Sequence, residues 1–254
     1  LHDEGVTIDT QDESCNPFLQ VGQQFFESTD ARRIVAVCSA CQEFSVLGVI
    51  AGKSGYGKTY ALKQYANLPK VVYIECDDTM GRRDMVETLE SALGLNQGYG
   101  TIYRRTEVIT AHLNKHPGYL IIVDEADKLI SKSTQKKMEI LRKLVDQSKV
   151  GMVIAGEPQL IPLLKSYDVR FANRGSYSYV LSGLDKTEVT EYLSKYPMEQ
   201  RAQDELVERA CNTRNGCFRL LDRTLSNVIR LVKDRKATQI TLDMIEEASD
   251  MMML

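Results

Sequence analysis

Eight consecutive residues, Gly52-Lys53-Ser54-Gly55-Tyr56-Gly57-Lys58-Thr59, constrain this chain more than any other stretch. They fit the pattern G-x-x-x-x-G-K-[ST], and their surroundings suit it. An apolar run, SVLGVIAG (45–52), reads as a buried strand before the pattern, and residues 58–66 read as a helix after it. Glycines let the backbone curl so that its N–H groups face an anion, beside a helix end whose dipole favours negative charge. Lys58 is expected to reach the β- and γ-phosphates of a nucleotide, and the Thr59 hydroxyl to ligand Mg²⁺. Gly52, Gly55, Tyr56, Gly57 and Tyr60 are expected to line the same pocket.

A second pattern supports the first. The run YLIIVDEA (119–126) is nearly all apolar, as a central parallel strand buried on both faces should be. An acid at the end of such a strand is costly unless it has a task. Asp124 is expected to hold Mg²⁺ through water, and Glu125 to polarise a water that attacks the γ-phosphate. Together the two patterns call for ATP and Mg²⁺, with hydrolysis to ADP and phosphate.

Strand and helix signals alternate along the chain. Strands are expected at 70–76 and 151–156 besides those above, and helices at 31–42, 81–93, 104–115 and 132–147. That alternation predicts an α/β fold with a parallel sheet and flanking crossover helices. After 179–183 the strand signal stops, and four helices follow (186–195, 203–210, 218–233, 242–251). The expected organisation is an acidic arm over 1–30, an α/β nucleotide-binding domain over 31–182 and a small helical lid domain over 183–254.

At 254 residues, 43% hydrophobic and 26% charged, the chain can hold one sizeable domain and a smaller one. No run approaches the ~18 apolar residues of a membrane helix. The opening LHDEGVTIDTQDES has neither a basic start nor an apolar run, so no secretory signal is read there. Six scattered cysteines suit a reduced, cytoplasmic protein. The net charge of −3 is unevenly placed: seven acids and no Lys or Arg lie in residues 1–30, which leaves 28 acidic against 32 basic residues elsewhere. A mildly basic body is compatible with a polyanion partner. Phe18, Phe25 and Phe26 could pin the arm to that body.

Two arginines, Arg170 and Arg174 in DVRFANRG, follow the last core strand by a short helical stretch. In an assembly of such subunits this position faces the neighbour's γ-phosphate, where an arginine finger is worth ~10³–10⁵ in rate. Arg174 is favoured over Arg170. Arg219, in Gly216-Cys217-Phe218-Arg219, starts a helix from which it could touch the nucleotide of its own subunit. Other features read as structural. Cys38-x₂-Cys41 and His112-x₃-His116 lie about seventy residues apart with no finger pattern between them. Lys128, Lys132, Lys136 and Lys137 read as a solvated helix face.

The segments LGVIAGKSGYGKTYALKQY, YLIIVDEADKL, VGMVIAG and GCFRLLDRTL, at their spacing, resemble the AAA+ ATPases of DNA transposition, the group of the phage Mu B protein and the TnsC-type regulators. The resemblance runs from about Ser45 to the C-terminus. It implies Walker A roles for Lys58 and Thr59, Walker B roles for Asp124 and Glu125, and a sensor 2 role for Arg219. It departs at the sensor 1 position, where a polar residue, often Asn, is replaced by Glu157. A carboxylate beside a γ-phosphate would be repelled by about 2–4 kcal/mol at an effective dielectric near 20, unless it points away or binds Mg²⁺. Slow hydrolysis, stimulated by assembly, is the expectation.

Members of that group, when ATP-bound, form filaments or rings on duplex DNA with little sequence preference and recruit a transposase. The resemblance implies DNA contacts in TMGRRDM (79–85) and NQGYGTIYRRT (96–106), namely Arg82, Arg83, Thr101, Arg104 and Arg105. VIAGEPQL also resembles the ExeA-type ATPases of secretion systems, which leaves open an assembly ATPase acting on a protein partner without DNA.

Overall fold

The computed structural model describes residues 26–129, 135–167, 175–212 and 216–251. The chain divides into two compact units, one holding residues 27–184 and the other Phe26 with residues 185–254.

The first unit is built on a five-stranded parallel sheet in the order β2-β3-β4-β1-β5. Its strands are β1 (Leu47–Ala51), β2 (Val71–Glu75), β3 (Leu120–Asp124), β4 (Gly151–Gly156) and β5 (Gly175–Val180). The three inner strands are buried at every residue, which is why LGVIA, LIIVD and GMVIAG read as unbroken apolar runs. The edge strand β2 alternates, with Val72 and Ile74 buried, Val71 and Tyr73 half-buried and Glu75 exposed. Beside them run α1 (Thr29–Phe44), α2 (Lys58–Tyr65), α3 (Arg82–Ala92), α4 (Ile102–Lys115), α5 (Gln135–Gln147) and α6 (Leu160–Tyr167). Met85 and Leu89 of α3, Ile109 and Leu113 of α4, and Met138 and Leu141 of α5 bury the core with Ile121, Val123 and Ile154. At ~1.5–3 kcal/mol per buried large side chain, this cluster is the main source of the unit's stability.

Three expectations are corrected here. Ser28–Asp30 do not belong to an arm, because Ser28 caps α1 by accepting from the Ala31 N–H, and Asp30 lies buried in the first turn. The Asp30 carboxylate accepts from the Tyr179 hydroxyl and from the N–H groups of Ser182 and Gly183, so α1 clamps the end of β5. Lys137 is buried rather than solvated, and Lys128 pairs with Glu125. The last strand covers Gly175–Val180 rather than 179–183, because Gly175, Ser176 and Ser178 dilute the apolar signal of its first half.

The second unit comprises α7 (Lys186–Leu193), α8 (Gln200–Ala210), α9 (Phe218–Asp234) and α10 (Leu242–Asp250) among the described residues. In α9, Leu221, Leu225, Val228, Ile229 and Val232 form one apolar stripe at helical spacing. Phe26 packs against this unit, its ring 4.6 Å from that of Tyr192 and 5.8 Å from that of Phe218. Phe18 and Phe25 lie outside the described residues. No helix among the described residues is long and apolar enough to cross a membrane.

Candidate nucleotide site

The loop from Gly52 to Gly57 joins the end of β1 to the start of α2, at the carboxyl end of the sheet where open α/β folds bind ligands. Gly57 sits at φ +89°, a left-handed conformation natural to glycine, and directly precedes Lys58 at the helix start. The Lys58 ammonium is buried and donates to the carbonyls of Gly52 at 2.6 Å and Lys53 at 3.1 Å. An ammonium has three donors. Two tie the lysine to its own loop, and the third can face an anion. Burial lowers the Lys58 pKa, while the charges of Asp124, Glu125, Glu157 and Asp127 oppose that shift. A polyphosphate beside the amine would oppose it further.

Thr59 and Asp124, 65 residues apart in sequence, are brought into direct contact. The Thr59 hydroxyl donates to Asp124 Oδ2 at 2.7 Å. Asp124 is completely buried at the end of β3 and accepts two more hydrogen bonds, from the Glu125 N–H and from the Tyr73 hydroxyl. A hydroxyl and a carboxylate side by side form the hard oxygen set that Mg²⁺ prefers. These residues therefore fit an Mg²⁺–nucleotide: Thr59 and Asp124 would hold the ion, and Lys58 and the loop N–H groups the phosphates. The bound ion would supply charge neutralisation at the phosphates.

Glu125 follows at φ +55°, a left-handed backbone that costs a non-glycine residue about 1–2 kcal/mol. Strain of this kind persists where the surroundings over-determine it. Here the turn carries the chain from β3 into the 3₁₀ helix Ala126–Leu129, whose Lys128 lies 3.5 Å from the Glu125 carboxylate. Asp127 accepts from the Glu157 N–H at 3.1 Å. Gly156 approaches it so closely that a Cβ there would lie 2.3 Å from Asp127 Oδ1. Glu157 is thus anchored next to the Asp124–Glu125 turn, within electrostatic reach of Lys58.

Tyr73 and Asp127 have no counterpart among the residues expected from the motifs. Asp127 stood in plain view inside DEAD (124–127), whereas Tyr73 depends on strand register. Gly55 and Tyr56 lie in the loop and Tyr60 in the first turn of α2, all three partly exposed. Arg219 lies in the first turn of α9 in the second unit. Arg170 and Arg174 lie outside the described residues.

The basic segments at α3 and α4 divide into two kinds of arginine. Arg82, Arg83 and Arg104 are exposed, with Arg83 paired to Glu87 one turn on. Thr101 is the N-cap of α4, its hydroxyl accepting from the Arg104 N–H. Arg105 is not the exposed phosphate contact expected of it. Its side chain is only 3% exposed and is held by Glu90 at 2.5 Å and Glu87 at 3.1 Å. Glu90 lies on the buried stripe of α3 with Met85, Val86 and Leu89, and Arg105 on that of α4 with Thr106, Ile109 and Leu113. A charge on the apolar stripe of each helix was the signal for a buried pair. Tyr99 and Tyr103 are exposed beside these arginines, and Lys143 of α5 lies 3.9 Å from the centre of the Tyr103 ring.

Residues 45–164 match the AAA domain family. A potential ATP-binding protein of Staphylococcus aureus is 21% identical over 270 residues, covering 91% of this chain and 97% of that protein. The Mu-like prophage FluMu DNA transposition protein B of Haemophilus influenzae is 27% identical over 144 residues, covering 56% of this chain and 48% of its own. Among solved structures, the Aeropyrum pernix ORC1 protein in complex with DNA superposes with a TM-score of 0.67 at 16% identity, over 87% of this chain and 64% of that one. The chain has the fold of the P-loop AAA+ ATPases, a parallel five-stranded sheet with flanking helices.

Proposed function

We propose that this protein is an Mg²⁺-dependent ATPase that binds duplex DNA with little sequence preference when loaded with ATP, assembles on it and recruits a transposase. The observation that carries the reading is the convergence of Lys58, Thr59, Asp124 and Glu125 at one end of the sheet. Lys58 binds and neutralises phosphate, Thr59 and Asp124 orient the ion, and Glu125 accepts the proton of the attacking water. Arg174, with Arg170 next, is the candidate to complete a neighbour's site, so that turnover depends on assembly. The second unit serves as a lid, with Arg219 as its sensor of the nucleotide. Such a protein works in the cytoplasm.

The DNA half of the reading is supported by the likeness to DNA transposition protein B and by the exposed Arg82, Arg83 and Arg104 with Tyr99 and Tyr103 between them. The loss of Arg105 to an internal ion pair favours, to a lesser degree, a second reading: an assembly ATPase of the ExeA kind that acts on a protein partner. Electron microscopy of the protein with duplex DNA and a slowly hydrolysed ATP analogue separates the two. Filaments or rings threaded by DNA support the first; assemblies indifferent to DNA support the second.

A further inference from the structure

Tyr73 stands in the middle of β2, in register with Ile122 of β3, while Glu75 two residues on is in register with Asp124. Residues two apart share a face of the sheet, so Tyr73 is the diagonal neighbour of Asp124, within reach of a long aromatic side chain. The phenol uses that reach and donates to Asp124 Oδ2 at 2.9 Å. The same oxygen accepts from Thr59 at 2.7 Å, and Oδ1 accepts from the Glu125 N–H at 2.9 Å. A carboxylate offers about four acceptor positions. Turning this one would break two hydroxyl hydrogen bonds to Oδ2 together. The ring is itself anchored to α2: the Lys63 ammonium lies 5.4 Å from its centre and pairs with Glu75 at 2.9 Å. Lys63 follows Thr59 by four residues on that helix, so both share a face.

We propose that Tyr73 is a positioning residue for Mg²⁺. It holds the Asp124 carboxylate in the one orientation in which Asp124 and Thr59 face a common cation. Thr59 has a single hydroxyl proton, directed at Asp124, and keeps its lone pairs for the ion. Without the phenol, Thr59 alone would restrain Oδ2, with the same proton that sets its own direction. Partners of metal-binding groups in this outer position are worth roughly 10–100-fold in metal affinity.

This inference rests on the Mg²⁺–nucleotide reading of the site, and the test keeps the two apart. Binding of a fluorescent ATP analogue is measured for the wild-type protein and Tyr73→Phe, in excess EDTA and over a Mg²⁺ titration, with a thermal melt of each. Tyr73→Phe keeps the ring and its packing. The expected result is equal affinity in EDTA and a requirement for roughly tenfold more Mg²⁺ in the variant. An unchanged Mg²⁺ titration would overturn the proposal, and so would an equal loss with and without Mg²⁺, which marks a role in packing alone. A wild-type protein that binds no nucleotide under either condition would remove the site reading itself.

Discussion

The Thr59 hydroxyl donates to the fully buried Asp124 carboxylate at 2.7 Å, joining the first turn of α2 to the end of β3. A negative charge stored in the core is a cost to the fold that only function repays. Asp124→Asn retains the shape and an oxygen for both hydroxyls but loses the acceptor of the Glu125 N–H, so removal of the buried charge is offset and the melting temperature is expected to change little. The Mg²⁺-dependent part of nucleotide binding should be lost. Thermal melts with and without Mg²⁺–ATP check both halves, since a ligand that binds only the folded state raises the melting temperature.

Lys58 and Glu125 separate binding from chemistry. Lys58→Ala removes the buried ammonium that faces the loop, and nucleotide binding and assembly should vanish together. Glu125→Gln keeps the turn and the phosphate contacts, so ATP still binds and assemblies persist. Its turnover should fall by roughly 10²–10⁴, the range for a lost general base. Single-turnover assays beside nucleotide-binding measurements check the split.

Arg104 and Arg105 are adjacent in sequence and opposite in role. Arg105→Ala strands Glu90, which is 1% exposed, and should cost about 3–5 kcal/mol of stability in urea unfolding. Arg104→Ala removes an exposed cation and should leave stability within about 0.5 kcal/mol. It should weaken DNA binding and reduce the salt slope by roughly 0.9 for the lost phosphate contact.

The grouping of the candidate site was legible because its residues sit in contiguous patterns. A strand, a glycine turn and a helix supply Lys58 and Thr59 within eight residues, and an apolar strand delivers Asp124 and Glu125 at its end. Tyr73 was not legible, because its place depends on the register of β2 against β3, which no local pattern encodes. Asp30 looked like part of a solvated acidic arm, yet its partners Tyr179, Ser182 and Gly183 lie about 150 residues away in sequence. Arg105 was misread for a different reason. The family resemblance placed it with Arg104 among the DNA contacts, whereas the helical period through Ile102, Thr106, Ile109 and Leu113 turns position 105 inward. The fold class followed from alternation alone, since every inner strand is a buried apolar run.

Fluorescence anisotropy of a labelled duplex of arbitrary sequence, titrated at low salt with and without Mg²⁺ and a slowly hydrolysed ATP analogue, tests the proposed function most directly. Nucleotide is expected to tighten binding by at least an order of magnitude, the affinity falling steeply as salt rises because phosphate contacts release counterions. Binding that is absent at low salt, or indifferent to nucleotide, would contradict an ATP-switched assembly on DNA.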